Sequence, residues 1–330
     1  METVTRPHFH QHGKTDCPES VKAVCHFCQL RRFSTHITAP VSIVNDVSGD
    51  TSTIPANFRF INRVIFGKGV AGASPEFLSG CECSDTRHCQ YAACGCLDEV
   101  EADPNAPDGK LYAYHTHGSK KGLLRSHYLS SRQPIYECHC DCACDPALCP
   151  NRVVERGRTV PLQIFRTRDG RGWGVRCPVD IRRGQFVDTY LGEVITAEEA
   201  DARRRQSNRA QRKDVYLFAL DKFIDPDSPD PRLVGPPLEV DGEFCSGPTR
   251  FINHSCEPNL RIFARVGDHA NKHVHDLALF AIRDIPRGEE LTFDYVDGVA
   301  EHEIDANDAD LRAFMTECRC GSKKCRGWLW

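Results

Sequence analysis

The chain has no long hydrophobic run. None of its 330 residues lies in a stretch near the roughly 18 consecutive apolar residues that a membrane helix needs, so no membrane association is expected. The N-terminus, Met1 to His12, is polar and lacks the apolar centre of a secretory signal peptide. The expected compartment is therefore intracellular and reducing. A basic excess is missing too: 42 Lys and Arg face 46 Asp and Glu, a net charge of −4. Free-standing DNA-binding domains carry a positive surplus, so direct sequence-specific DNA binding is not expected and a cationic partner fits better. Long helical periodicity is scarce. Short strands between Pro/Gly turns, with one modest polar helix from Ala197 to Lys213, place the chain in the mostly β class.

What is plentiful is cysteine, at 19 residues. In a reducing compartment these do not make a disulfide framework, and their spacing points to metal. Cys81, Cys83, Cys89, Cys94 and Cys96 form one clump, and Cys138, Cys142, Cys144 and Cys149 a second, across a loop-like insert from Leu97 to Tyr136. These nine thiols do not divide into sets of four. Three zinc ions need about twelve bonds, which nine sulfurs supply if three bridge, giving sites closed to water. Cys140 breaks the rhythm and is read as a non-ligand. Cys318, Cys320 and Cys325 are one thiol short of a closed site, and Cys256 is the natural fourth. Cys25-His26-Phe27-Cys28 has the gap of a zinc knuckle that Cys17 or His36 could complete; a partly ordered arm is the alternative.

The central stretch runs from Arg250 to Leu260. It holds a guanidinium, an aromatic, an amide, an imidazole and a thiol within seven residues. Alone it also fits a strand end followed by a polar turn. Gly172-Trp173-Gly174 flanks a large aromatic with residues that let a ligand approach the backbone, although a plain hairpin has the same pattern. Seven carboxylates lie between Asp221 and Glu243 against Lys222 and Arg232, which reads either as a solvated loop or as the wall of a groove for a basic peptide.

With these residues in order, the chain resembles the SET-domain protein lysine methyltransferases. It is most similar to the suppressor-of-variegation class acting on lysine 9 of histone H3, and within it to the filamentous-fungal branch needed for DNA methylation. The resemblance rests on the two cysteine-rich segments together with Gly172-Trp173-Gly174, Tyr190-Leu191-Gly192-Glu193, Arg250-Phe251-Ile252-Asn253-His254-Ser255-Cys256 and Leu291-Thr292-Phe293-Asp294-Tyr295. It implies a SET fold of small curved sheets with a pseudoknot, flanked by a pre-SET zinc cluster and a zinc-binding post-SET. The expected division is an N-terminal arm over 1–60, pre-SET over 61–155, SET over 156–299 and post-SET over 300–330.

The resemblance also implies roles. Tyr190 and Tyr295 would be catalytic. S-adenosylmethionine would be held by Arg171, Gly172, Trp173, Tyr216, Arg250, Phe251, Asn253, His254 and Trp330. Phe218, Phe293 and Trp330 would line the lysine channel, with Asp221 contacting the histone H3 tail. Four zinc ions are implied, three on the nine pre-SET cysteines and one on Cys256, Cys318, Cys320 and Cys325. Phe293, lacking a hydroxyl, implies a trimethyl product. A monomer in the nucleus, brought to chromatin by recruiting factors and supporting heterochromatin, completes the expectation. A SET protein that binds without catalysing would need a lost tyrosine or a broken Asn-His pair, and neither is present. A zinc-rich nucleic-acid module is opposed by the net charge, whereas a different target lysine stays open because these motifs serve transfer rather than peptide choice.

Overall fold

The computed structural model describes residues 18–91, 93–102, 106, 109–110, 112–206, 216–297 and 315–329. Small sheets dominate. A five-stranded sheet orders the strands Val41–Val44, Leu162–Arg166, Trp173–Arg176, Glu290–Phe293 and Asn253–His254. A second sheet holds Ile65–Phe66, Glu193–Ile195, Glu239–Asp241 and Leu217–Ala219, and a third Ile135–Tyr136, Leu260–Val266, Asp276–Ala281 and Phe186–Tyr190. Two-stranded pairs join Arg59–Phe60 to Cys245–Ser246, and Thr316–Glu317 to Trp328–Leu329.

Alternating apolar residues hold the five-stranded sheet in place. Ile43, Leu162, Ile164, Val175, Leu291 and Phe293 are buried in one core with Phe251, Ile252 and Leu260. The hairpin between Leu162–Arg166 and Trp173–Arg176 closes with the Thr167 N–H donating to the Gly172 carbonyl at 2.8 Å. Gly172 has φ +94°, a conformation that favours glycine. Thr196 caps the helix as expected, its hydroxyl accepting from the Glu199 N–H at 3.3 Å. That helix is described over Ala197–Gln206, and its expected continuation to Lys213 lies outside the described residues.

Of the two completions of the zinc-knuckle reading, the one through His36 does not form among the described residues. Helices Glu19–Val24, His26–Arg31 and Ser34–Thr38 lead into the strand Val41–Val44, which pairs in parallel with Leu162–Phe165. His26 is buried, its Nε2 2.8 Å from the Phe58 carbonyl, and Gln29 accepts from the Phe60 N–H. Cys25 and Cys28 are buried in this packing, and among the described residues neither belongs to any ligand group. Their spacing reflects a helical turn facing the core. Cys17 lies outside the described residues.

The segment Leu260–Val266, for which no strand was expected, is the longest strand described, and it pairs antiparallel with Asp276–Ala281. Its Arg265 is buried and meets Glu137 at 3.1 Å, Glu155 at 2.6 Å and Asp276 at 3.0 Å. Glu137 also accepts from the Val153, Val154 and Glu155 amides, so one satisfied polar hub ties the cysteine-rich segment to the third sheet.

Candidate active site and metal centres

The strand Asn253–His254 pairs in parallel with Glu290–Phe293, placing Asn253 opposite Thr292 and His254 opposite Phe293. Two motifs about 40 residues apart thus become neighbours through backbone register. Asn259, fully buried, strengthens the join: its amide nitrogen donates to Glu289 Oε1 and the Glu290 carbonyl, and its oxygen accepts from the Thr292 N–H at 2.8 Å.

Four aromatic rings converge at the end of this pair. Phe218 packs edge-on against Tyr190 with centroids 4.6 Å apart, and lies 5.6 Å from Phe293 and 6.1 Å from Tyr295. Phe293 and Tyr295 are 4.8 Å apart. The Tyr190 hydroxyl donates to the Tyr216 carbonyl at 3.1 Å, and the Tyr295 hydroxyl to the Ile252 carbonyl at 2.6 Å. Burial pushes both phenols well above the ordinary tyrosine range, so both stay protonated at neutral pH. A cavity of about 570 Å³ opens beside Phe218 and Tyr295 and is also lined by exposed Asp221. Gly242 backs Tyr190 so closely that a Cβ there would sit 2.4 Å from the phenolic oxygen.

The residues expected to hold the cofactor form a second cluster. Asn253 Nδ2 donates to the Trp173 carbonyl at 3.1 Å and to Glu290 Oε1 at 2.8 Å. Arg171 donates to Glu290 at 2.6 Å and Asp169 at 2.7 Å. The Arg250 guanidinium lies 4.2 Å from the centre of the Tyr216 ring and 4.8 Å from that of Phe251. Its Nε is buried without a hydrogen-bond partner among the described residues, which suits a ligand that brings an acceptor such as a carboxylate. His254 stacks edge-on against Tyr295, with Nδ1 accepting the Tyr295 N–H at 3.2 Å. Burial lowers this imidazole to about 4, so it is neutral and able to accept. Trp330 lies outside the described residues.

From sequence, Glu290 and Arg326 carry no expected role, and Asp294 stands only inside the Leu291-Thr292-Phe293-Asp294-Tyr295 motif. Glu290 binds both Asn253 and Arg171, and Asp294 receives both guanidinium nitrogens of Arg326. Glu290 sits two positions before Thr292, the residue paired with Asn253, so strand alternation was the available signal. The Arg326 contact bridges separate segments and left no local trace. The acidic stretch divides. Asp221 faces the cavity, but Glu239 and Asp241 are buried strand residues paired with Arg204 at 2.6 Å and Arg203 at 2.8 Å. Those two carboxylates are committed to helix Ala197–Gln206 rather than to a peptide.

The cysteines gather where a tetrahedral metal would require. Zinc with bonds of about 2.3 Å sets its sulfurs roughly 3.8 Å apart. Cys81 and Cys138 sulfurs are 3.9 Å apart, Cys94 and Cys138 3.9 Å, and Cys256 and Cys318 3.8 Å. Three overlapping sets form in the first region: Cys81, Cys96, Cys138 and Cys142; Cys81, Cys89, Cys94 and Cys138; Cys89, Cys138, Cys144 and Cys149. Cys138 belongs to all three, and Cys81 and Cys89 to two each. Cys83 is half-buried against the cluster but in none of the sets. Cys256, Cys318, Cys320 and Cys325 make a separate set, and no disulfide forms among the described cysteines. Exposed Cys140 falls only in a group with buried His139 and exposed Asp141.

Residues 172–296 match the SET domain family, and residues 33–152 the Pre-SET motif. Over 336 residues the chain is 61% identical to "Histone-lysine N-methyltransferase, H3 lysine-9 specific dim-5" of Neurospora crassa, covering all of both chains. The solved structure of the Neurospora SET domain protein DIM-5, a histone lysine methyltransferase, is similar with a TM-score of 0.73 at 63% identity, over 80% of this chain and 98% of that one. The structure of Arabidopsis thaliana SUVH6 in complex with SAM has a TM-score of 0.63 at 28% identity, over 88% of this chain and 53% of that one.

Proposed function

The chain belongs to the SET-domain histone-lysine N-methyltransferases that carry a Pre-SET motif, and from this we propose that it methylates lysine 9 of histone H3 to the trimethyl state. The observation that carries the reading is the aromatic cage of Tyr190, Phe218, Phe293 and Tyr295 beside the Asn253–His254 strand.

S-adenosylmethionine, when bound, supplies an electrophilic methyl group. Asn253, His254, Arg250, Phe251, Arg171, Gly172, Trp173 and Tyr216 would hold it, with Trp330 arriving from the tail. Transfer to a neutral amine is an in-line displacement, so the protein contributes alignment and the removal of a proton. A free lysine, with a pKa of about 10.4, is almost wholly protonated at neutral pH. The aromatic walls disfavour the ammonium form, and the proton leaves to water at the cavity mouth. Tyr190 and Tyr295 each commit their hydroxyl proton to a backbone carbonyl. Their lone pairs are thereby left to accept from the amine and from the methyl C–H groups. Both phenols orient rather than ionise.

Phe293 offers no hydroxyl to pin a methylated amine, so the nitrogen can turn for a second and third transfer. Asp221 meets the cationic tail. The cysteine sets hold four zinc ions, three in the pre-SET region with Cys83 completing the nine ligands, and one joining Cys256 to the tail thiols. The enzyme acts as a monomer on nuclear chromatin, where recruiting factors bring it and its product supports heterochromatin and DNA methylation.

The test is incubation with S-adenosylmethionine and an H3 tail peptide, followed by fragmentation mass spectrometry. Three methyl groups on lysine 9 are expected, and none on a peptide with alanine there. Methylation confined to another lysine would overturn the substrate assignment.

A further inference from the structure

A second charged surface lies away from the aromatic cage. Lys120-Lys121 belongs to the insert and Arg182-Arg183 to a turn about 60 residues later. A crossing of the two segments brings them together: the Leu124 N–H donates to the Gly184 carbonyl at 2.7 Å. Gly184 has φ +84°, and a Cβ there would meet the Leu124 carbonyl oxygen at 2.6 Å, so only glycine allows the approach. Arg182 then donates to the Ser119 carbonyl, which orders its guanidinium without neutralising it.

Two adjoining grooves result. One, of about 260 Å³, is lined by Lys120, Arg182 and Arg183; the other, of about 310 Å³, by Lys121, Arg156 and again Arg182. All five cations are exposed. Among the described residues none of the five is in an ion pair; Arg156 is tied to the Pro146 and Cys149 carbonyls. The one carboxylate lining either groove is Asp284, which already accepts the Arg183 backbone N–H at 2.7 Å. Five positive charges against one, on a chain of net charge −4, is a local inversion of sign. No residue of these grooves lines the cavity beside Tyr295.

We propose that this face binds the phosphate backbone of duplex DNA without reading its sequence. Single-stranded nucleic acid is recognised by stacking bases on exposed aromatics. Here the only Phe, Tyr or Trp lining either groove is Phe186, which is buried, and beside it there is only the half-buried imidazole of His115. Charge without a stacking platform suits a duplex backbone. On the histone-substrate reading given above, the DNA would be that of the nucleosome carrying the tail.

The test uses the full zinc-loaded chain and a labelled duplex of arbitrary sequence, followed by fluorescence anisotropy across salt concentrations, without cofactor or histone. Binding is expected with a Kd of roughly 10⁻⁶ to 10⁻⁴ M near physiological salt, weakening roughly a hundredfold between 50 and 200 mM salt for about four phosphate contacts. The Lys120→Glu/Lys121→Glu/Arg183→Glu variant should lose at least tenfold in DNA affinity and show a shallower salt slope. Its kcat/KM on the H3 peptide should stay within about twofold, which also reports its folding, while its KM on nucleosomes rises. If charge reversal prevents folding, the Gln versions of the same three residues replace it. Unchanged DNA affinity in a folded variant would overturn the proposal, as would tighter binding of single-stranded RNA through the same residues. Because the anisotropy arm needs no methyl transfer, its result is independent of the enzymatic assignment.

Discussion

Arg326 and Asp294 form a two-pronged ion pair, with guanidinium nitrogens 2.9 and 2.6 Å from the two carboxylate oxygens. It joins the C-terminal cysteine segment to the residue directly before Tyr295. The Arg326 N–H also donates to the Cys256 sulfur at 3.3 Å, so ion pair and metal set dock the tail at adjoining points. Charge-assisted bonds of this kind contribute about 1.5–3 kcal/mol, less where solvent reaches them. Arg326→Ala should therefore lower kcat/KM on the H3 peptide roughly tenfold with little change in Tm. Steady-state kinetics beside a thermal melt checks this, and a large fall in Tm would instead indicate a folding role.

Gly242 supports the position of Tyr190. A Cβ at that position overlaps the phenolic oxygen at 2.4 Å, and both residues are buried, so the ring must move. A displacement near 1 Å at a reacting group costs roughly a hundredfold in rate. Gly242→Ala should reduce kcat by about that factor while KM for the peptide changes little. Tyr190→Phe provides the comparison, because it removes the hydroxyl without forcing the ring aside.

On the proposed reading, Phe293 sets the product. It is buried against Phe218 and Tyr295, and a tyrosine hydroxyl there would enter the space a methylated amine needs. Phe293→Tyr should cut trimethyl product at least about tenfold while the first transfer persists, as read by mass spectrometry over time. Each factor of ten is about 1.4 kcal/mol in barrier. Undiminished trimethylation would remove the role assigned to this ring.

His275 gives a pH signature. It is buried, its Nδ1 lies 2.8 Å from the Lys272 carbonyl, and burial holds its pKa below the usual 6.5. A lowered folded pKa means the unfolded chain binds the extra proton first. Its contribution to stability is therefore present above about pH 6.5 and is lost as pH falls towards the lower folded value. His275→Asn can keep a donor to Lys272 without titrating. Urea unfolding from pH 7.5 to 5.5 should fall less steeply for the variant than for the parent protein, and equal slopes would refute the assignment.

Cys138 and Cys83 should behave differently. Cys138 is fully buried and shared by three ligand sets, whereas Cys83 belongs to none. Cys138→Ser should strip most of the bound metal and the folded state with it, since zinc affinity at such sites is folding free energy. Cys83→Ser should lose at most about one ion, and Cys256→Ser one, with the pre-SET metal retained. Metal content by plasma mass spectrometry on purified protein distinguishes the three. Equal loss from Cys83→Ser and Cys138→Ser would mean that the sharing seen in the geometry is not what holds the cluster.

Much of the site was legible because its chemistry is carried by residue type and short spacing. The cysteine clumps, the Asn253-His254 pair and the strand that ends at Phe293, just before Tyr295, each announce themselves locally. Glu239 and Asp241 did not. They read as part of an acidic loop, because the arginines that neutralise them, Arg203 and Arg204, lie more than 30 residues earlier on a helix. The N-terminal cysteines are ambiguous locally: a two-residue gap suits a zinc knuckle and equally suits one face of a helix packed on a core. Arg265 hid a strand, since a charged residue looks exposed until the three carboxylates around it are known.

Residue order alone determined which atoms are available, namely the thiolates, the two phenols, the amide-imidazole pair and, at Phe293, an aromatic without a hydroxyl. Tertiary structure decided which of them meet. The parallel pairing of Asn253–His254 with Thr292–Phe293, the backing of Tyr190 by Gly242, and the crossing that sets Lys120-Lys121 beside Arg182-Arg183 all join segments far apart in the chain. Contacts of that kind depend on how buried surfaces and backbone hydrogen bonds are satisfied across the whole fold, and no local pattern records the outcome.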